Sequence, residues 1–190
     1  LPYFKKAETF DKGPNAYRGG AGPMQVETRH GENPLYHAFL RAGVESGLEH
    51  VEDHNAFRQE GVHVTQRNVH DGIRWSTSQA YIHAQPPKPN LTVLTGARVT
   101  GLDTSNKRVV RVAVTTQSGP QVFEPERETI LCGGALNSPQ LLLLSGIGPA
   151  DDLKRAGIAV THHLPGVGRG MKDHVAAPVM YRATKDVSAA

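Results

Sequence analysis

A chain of 190 residues with 38% apolar content can bury one sizeable core, and it has neither the charge nor the low complexity of a disordered segment. Its formal charge of +3 is small, and 21 lysines and arginines are interspersed with 18 acids, which argues against a nucleic-acid face. The longest apolar run, residues 141–144, is far short of a membrane-spanning segment, no signal-peptide order is visible, and one cysteine allows no internal disulfide. Cys132 is expected as a buried thiol in an apolar strand. The compartment stays open, and both ends read as cut from a longer chain.

Residues 1–10 set apolar side chains among lysines and read as the end of a helix, broken by Lys12-Gly13-Pro14-Asn15. The stretch Tyr17-Arg18-Gly19-Gly20-Ala21-Gly22-Pro23 is a flexible loop by composition. Asn33 and Pro34 then cap an amphipathic helix carrying Leu35, Ala38, Phe39 and Ala42 at helical spacing and closing near Gly47. In Glu49-His50-Val51-Glu52-Asp53-His54 two histidines stand four apart beside acids, but a third metal ligand is missing and Gly47 has ended the helix, so a solvated loop is expected. Val62 and Val64 alternate with polar residues as a half-buried strand does, and residues 66–81 pass from strand to a helix capped near Ser76 or Thr77. An ion pair anchoring its loop is the expected role of Arg74. Pro86-Pro87-Lys88-Pro89 is too stiff for a helix or central strand and reads as a connector.

Beyond it come β-rich runs at residues 91–95, 97–102, 109–115, 122–123 and 129–132, split by Asn, Gly and Pro turns. The last of them leads into ILCGGALNSPQLLLLSGIG, residues 130–148, which reads as an apolar strand, a glycine turn and a helix with Ser138 as N-cap and Pro139 in its first turn, stopped by Ser145 and Gly146. Gly133, Gly134 and Ala135 leave almost no side chain at the strand's carboxyl end, where open α/β sheets place their ligands. The same pattern also serves as a tight strand-to-helix joint. A short helix at residues 151–156, ended by Gly157, and a short strand at 158–161 follow. Gly166, Gly168 and Gly170 lack dinucleotide-fingerprint spacing and read as a turn. His162 and His163 face opposite sides of a strand, so with His174 they do not converge on a metal.

At their spacing, Gly134, Ala135, Ser138, Pro139, Leu141, Leu142, Ser145, Gly146, Ile147 and Gly148 resemble the second signature of the glucose-methanol-choline family of FAD-dependent oxidoreductases. The glycine-rich loop resembles that family's Tyr-His-Gly…Gly-Pro turn at the entrance to the substrate-binding region, with Arg18 in place of histidine. Asp53, Asn55, Gln59, Glu60 and Gly61 resemble its Asp…Asn-Gly loop before Gln-Glu-Gly, with Ala56 in place of glycine. Gly72, Arg74, Trp75, Ser76, Ala80 and Tyr81 are most similar to choline-dehydrogenase-like members, with Ile82 replacing leucine. Residues 90–99 resemble the family's Asn-Leu-x-Val…Val segment, and residues 164–174 its Leu-Pro-Gly-Val-Gly-x-Asn-Leu-x-Asp-His, with Gly170 and Met171 replacing asparagine and leucine.

This resemblance implies a mixed α/β fold: part of an FAD-binding Rossmann-like domain with a β-meander over residues 97–123, plus part of an inserted substrate-binding domain. Residues 1–86 fall to the substrate-binding region, 87–150 to the FAD-binding domain, and 151–190 to a loop near FAD that turns back toward the substrate domain. It also implies that Val99 meets the adenine through its backbone, and that Gly134, Ala135, Asp173 and His174 bind the cofactor too. An adenine edge needs one donor and one acceptor in a plane, which extended backbone supplies whatever its side chain; without the flanking motifs Val99 is an ordinary strand valine. The implied substrate is a small-molecule alcohol, losing a proton to a histidine base and a hydride to the flavin, with the electron acceptor unnamed. Neither the family's Gly-x-Gly-x-x-Gly turn nor its catalytic histidine motif is found here, so no catalytic residue is named and these residues alone are expected to be inactive. A lyase of the same fold, resembling mandelonitrile lyase, and a non-catalytic binding module are the alternatives.

Overall fold

Pro2 lacks an N–H where the first helical turn has no use for one, and α1 (Pro2–Ala7) forms there before the chain extends into β1 (Glu8–Phe10). The computed structural model describes residues 1–28, 33–178, 180, 182 and 184, and the chain divides into two compact units, one built on Leu1–Pro89 and the other on Asn90–Pro178. The end of the expected third region, residues 185–190, lies outside the described residues.

In the first unit β1 lies parallel to β2 (Met24–Thr28), whose far end pairs antiparallel with β3 (Gln66–Arg67). The expected cap forms: Asn33 Oδ1 accepts the Leu35 N–H at 2.8 Å, α2 (Pro34–Glu45) follows, and Gly47 ends it with φ of +90°. Gly43 lets α2 approach the following segment, since a Cβ there would stand 2.4 Å from Val62 Cγ1. Val62 and Val64 are buried, yet the strand expected through them is reduced to one bridge between His50 and Val62. Its burial alternates as the half-buried reading expects, with Val62 and Val64 buried, His63 half-buried and Thr65 exposed, but the ladder that would make it a strand is missing. β4 (Val69–His70) and β5 (Ile73–Arg74) form a tight hairpin over Asp71 and Gly72, both at positive φ as a two-residue turn requires. Ser76 Oγ then accepts the Gln79 N–H at 3.1 Å, as the cap reading anticipates, ahead of a π-helical turn, Gln79–His83.

The second unit holds the expected meander: β6 (Arg98–Ser105), β7 (Arg108–Thr116) and β8 (Gly119–Phe123) form a three-stranded antiparallel sheet in the order β6-β7-β8. Leu102 and Val114 point into its core. Two expected strands are absent. Residues 91–95 and 129–132 carry strand composition but pair with no described strand, and a strand exists only through its partner's hydrogen bonds. The next helix, α3 (Gly134–Leu144), begins four residues before Ser138. Ser138 still takes an orphan donor, but it is the Gly133 N–H, at 3.0 Å, and Pro139 lies inside the helix.

Helix α3 stops where the composition indicates, at Ser145, with Gly146 at φ +76°. A Cβ on Gly146 would stand 2.3 Å from the Ala159 carbonyl oxygen, so glycine is required twice over. After β9 (Ile147–Gly148) comes α4 (Ala150–Arg155), ended by Gly157 at φ +72°, with Leu153 buried beneath it. The last strand is β10 (His162–His163), parallel to β9, and not residues 158–161. The Gly146 carbonyl accepts N–H groups from both Thr161 and His162, which sets that register. No described helix is long and apolar enough to cross a membrane.

Candidate functional site

A cleft of about 890 Å3 opens between β6, the extended residues 129–133 and one face of α3. Its apolar wall includes Leu102, Val112, Leu141 and Leu144, and polar groups come from Asn137, Ser138 and Gln140 on the helix and from Arg98 and Thr100 on β6. The strand β6 is the free edge of the meander, so its backbone decides what this rim offers.

Which residues face outward follows from one hydrogen bond. Leu102 donates its N–H to Ser145 Oγ at 2.9 Å, away from β7, so the Leu102↔Val112 pair is of the kind whose N–H and C=O point outward. Counted along β7, whose pairing is unbroken from Val112 to Val114, Val114 has the same parity as Val112, and Val114 pairs with Val99. Strict alternation along β6 would have favoured Thr100 instead. An extra residue between Val99 and Gly101 shifts the register and turns the backbone of Val99 outward. By this count the N–H and C=O of Val99 face the rim of the cleft, a donor and an acceptor of the kinds an adenine edge uses.

The other expected cofactor residues are placed differently. Gly133 lines the cleft, but Gly134 and Ala135 do not. Gly134 stands at φ +79° and a Cβ there would meet nothing within 4 Å, so its glycine answers a backbone conformation and not a crowded wall. Asp173 and His174 lie on exposed chain outside the cleft, where Asp173 Oδ1 accepts the His174 N–H at 2.8 Å. Cys132 is exposed in the cleft and not buried, because the unpaired segment that carries it has no sheet layer over it.

In the first unit a cluster forms that residue spacing does not announce. Arg18, 5% exposed, gives Nε to Asp53 Oδ2 at 2.7 Å and Nη2 to Asp53 Oδ1 at 2.6 Å, a bidentate pair. Its Nη1 donates to Glu8 Oε1 at 2.7 Å, Nη2 also reaches Gln66 Oε1, and the Phe10 ring lies 4.3 Å beneath the guanidinium carbon. Burial acts against the charge on Arg18, but the hydrogen bond to Asp53 and the charges of Glu8 and Asp53 outweigh it and raise its pKa. The hydrogen bond from Arg18 in turn holds the Asp53 carboxyl well below the usual carboxylate range, against the cost of partial burial and with help from the Gln66 amide and the Asn55 N–H. The stretch 49–54 is solvated only in part: Glu49, His50 and Glu52 are exposed, but Val51 is buried and Asp53 is pinned across 35 residues of sequence. The one hint was an arginine where the resembled motif carries histidine.

Arg74, by contrast, is exposed and makes no ion pair among the described residues. Its loop is held by its neighbour, as Trp75 Nε1 donates to the Pro23 carbonyl at 2.8 Å. Among the described residues no three His, Cys, Asp or Glu side chains converge as a metal site requires.

A family model described as GMC oxidoreductase matches residues 1–176. The chain belongs to the GMC oxidoreductase family. It is 45% identical over 192 aligned positions to the oxygen-dependent choline dehydrogenase of Stenotrophomonas maltophilia, which takes in all of this chain and 34% of that one. It is 42% identical to the mitochondrial choline dehydrogenase of Mus musculus, over 99% of this chain and 32% of the other. The chain spans about a third of the length of the curated relatives it matches. Among solved structures, the pyridoxine 4-oxidase of Mesorbium loti matches 87% of this chain and 33% of its own, with a TM-score of 0.81 and 35% identity. A formate oxidase matches 84% and 29%, with a TM-score of 0.72 and 28% identity. Family and mixed α/β fold are those that the motifs imply.

Proposed function

We propose that these residues are the central part of a GMC oxidoreductase that oxidises the CH–OH group of a small alcohol, with choline as the leading candidate. The cofactor is FAD. The observation that carries this assignment is the outward-turned backbone of Val99 on the rim of an apolar cleft closed by Gly133. Similarity to two choline dehydrogenases, a pyridoxine 4-oxidase and a formate oxidase supports the reaction class.

Val99 gives its N–H and C=O to the adenine, while Leu102, Leu141 and Leu144 remove water from around it and so strengthen both hydrogen bonds. Gly134 and Ala135 set the first turn of α3 against the cofactor, and Asp173 and His174 belong to a loop on its flavin side. When bound, FAD supplies the acceptor for the hydride of the alcohol's carbon. No residue described here is assigned as the base for the hydroxyl proton. Residues 1–86 belong to the substrate-binding region, 87–150 to the FAD-binding domain, and 151–190 to the loop near FAD that returns toward the former. Purifying the intact protein tests this: it should carry a flavin spectrum and reduce a dye when given choline or another primary alcohol. A colourless protein with no dye reduction would refute it.

A further inference from the structure

Beside the Arg18 cluster the imidazoles of His54 and His63 stack face to face, their centroids 3.8 Å apart and their planes 11° from parallel. The Nδ1 atom of each ring is buried and has no hydrogen-bond partner. The second nitrogen of His54, Nε2, lies 3.1 Å from Asn55 Nδ2, which also donates to Gln66 Oε1 at 2.7 Å. An amide nitrogen donates two protons and accepts none, so Nε2 of His54 is the acceptor and carries no proton. Protonating it would set two donors against each other and place a charge on a ring stacked against a second ionisable ring.

We propose that the His54–His63 stack forms an acid-sensitive latch on residues 49–63, closed while His54 is neutral and released when His54 takes up a proton. The segment is stapled at its base, where Val51 N–H donates to the Val62 carbonyl at 2.9 Å and Val62 N–H to the Glu49 carbonyl at 2.8 Å. Between these staples His54 lies in sequence between Asp53, which grips Arg18, and Asn55, which grips Gln66. Displacing its ring therefore pulls on both. Arg18, Asn55 and Gln66 line a cleft of about 580 Å3 together with Phe4, Tyr17 and Met24, so the polar wall of that cleft loosens with the latch.

The charged groups around the pair set its direction. Burial first, then the neighbouring charge of His63, lowers the pKa of His54, with Arg18 acting the same way and Asp53 opposing. The pull of Asp53 is blunted because both its oxygens are engaged by Arg18. A histidine whose folded pKa is depressed holds fewer protons than in the unfolded chain, so the closed latch is fully stable above the ordinary histidine value of about 6.5 and weakens as pH falls below it.

Hydrogen exchange of residues 49–64 in the intact protein, corrected for intrinsic rates and compared between pH 7.5 and 5.5, tests the latch. The wild type should lose protection by up to about tenfold per pH unit while His54 takes up its proton. The double variant His54→Phe with His63→Phe keeps two stacked rings that cannot titrate, and its protection should be the same at both pH values. Equal protection in the wild type at the two pH values, or an undiminished acid loss in the double variant, would overturn the proposal. Should the double variant not fold, the urea midpoint of His63→Gln decides: a smaller acid loss than the wild type supports the latch, and an identical one overturns it.

Discussion

Leu102 and Ser145 stand 43 residues apart, yet the backbone N–H of Leu102 is satisfied by the hydroxyl of Ser145 at 2.9 Å, while that hydroxyl donates to the Leu141 carbonyl at 2.7 Å. One side chain thus caps α3 and fixes the helix against the edge of the meander. Leu102 is 4% exposed, so no water replaces the lost partner. Ser145→Ala should cost about 1–3 kcal/mol, the penalty of an unsatisfied buried donor. Urea denaturation of the intact protein checks this, and a change within a few tenths of a kcal/mol would show that the contact is not worth what its geometry suggests.

Arg18 should tolerate neither shortening nor loss of charge. Arg18→Lys keeps the charge but cannot form the bidentate pair with Asp53 and reach Glu8 as well, and Arg18→Met leaves two carboxylates without a counter-charge, which should cost about 3–5 kcal/mol. The pH dependence follows from the depressed pKa of Asp53. Its contribution is present above the ordinary carboxylate value of about 3.9 and is lost as pH falls below that, because the unfolded chain then binds the proton first. Arg18→His would add the opposite trend: a histidine between two carboxylates has a raised pKa, so its stabilisation is present below about 6.5 and is lost as pH rises through the folded value. Thermal melts from about pH 2 to 9 separate the two trends.

Val99 offers a test of backbone against side chain. Val99→Ile should be nearly silent, since the proposed adenine contact does not use the side chain. Val99→Pro deletes an N–H that points away from β7, so it removes the outward donor without breaking a ladder bond. FAD affinity should then fall roughly tenfold, the worth of one hydrogen bond, in a protein that still folds. Calorimetric titration of FAD into the deflavinated protein reads the difference, and unchanged affinity in the proline variant would remove the adenine from this rim.

Residues 1–190 produced alone should neither hold FAD tightly nor turn over an alcohol. Ile130 and Leu136 are 74% and 69% exposed, and residues 129–132 leave a backbone edge unpaired, so the isolated segment should associate or bind a hydrophobic dye. Gel filtration and FAD titration check this. A monodisperse segment with stoichiometric FAD and alcohol-dependent turnover would place the base within these residues.

What local chemistry decides was legible in the residues. Asn33 with Pro34, Ser76, Gly47, Gly146 and Gly157 all cap or end what they were read to cap or end, because a cap acts within one helical turn. The three runs that form the meander were equally legible, since β-rich composition and turn residues act locally, while their antiparallel order was implied by the family resemblance. Residues 129–132 misled because strand composition does not supply a partner. Ser138 misled by one turn: it was read as the start of α3, but its hydroxyl reaches back to Gly133 across a helix that begins at Gly134. The Arg18 clasp was illegible, as Glu8, Asp53 and Gln66 meet it from three separate segments. The outward turn of Val99 was hidden for a different reason, since it depends on an extra residue in β6 that no propensity marks.

The central claim is that the intact protein uses FAD to oxidise an alcohol. Anaerobic addition of choline, or of a panel of primary alcohols, to the purified flavoprotein while the visible spectrum is recorded tests it most directly. The oxidised flavin band should be lost with a matching yield of aldehyde and should recover when an electron acceptor is admitted. A flavin that keeps its spectrum with every alcohol while the protein releases cyanide from a hydroxynitrile would contradict it and assign the fold to lyase chemistry instead.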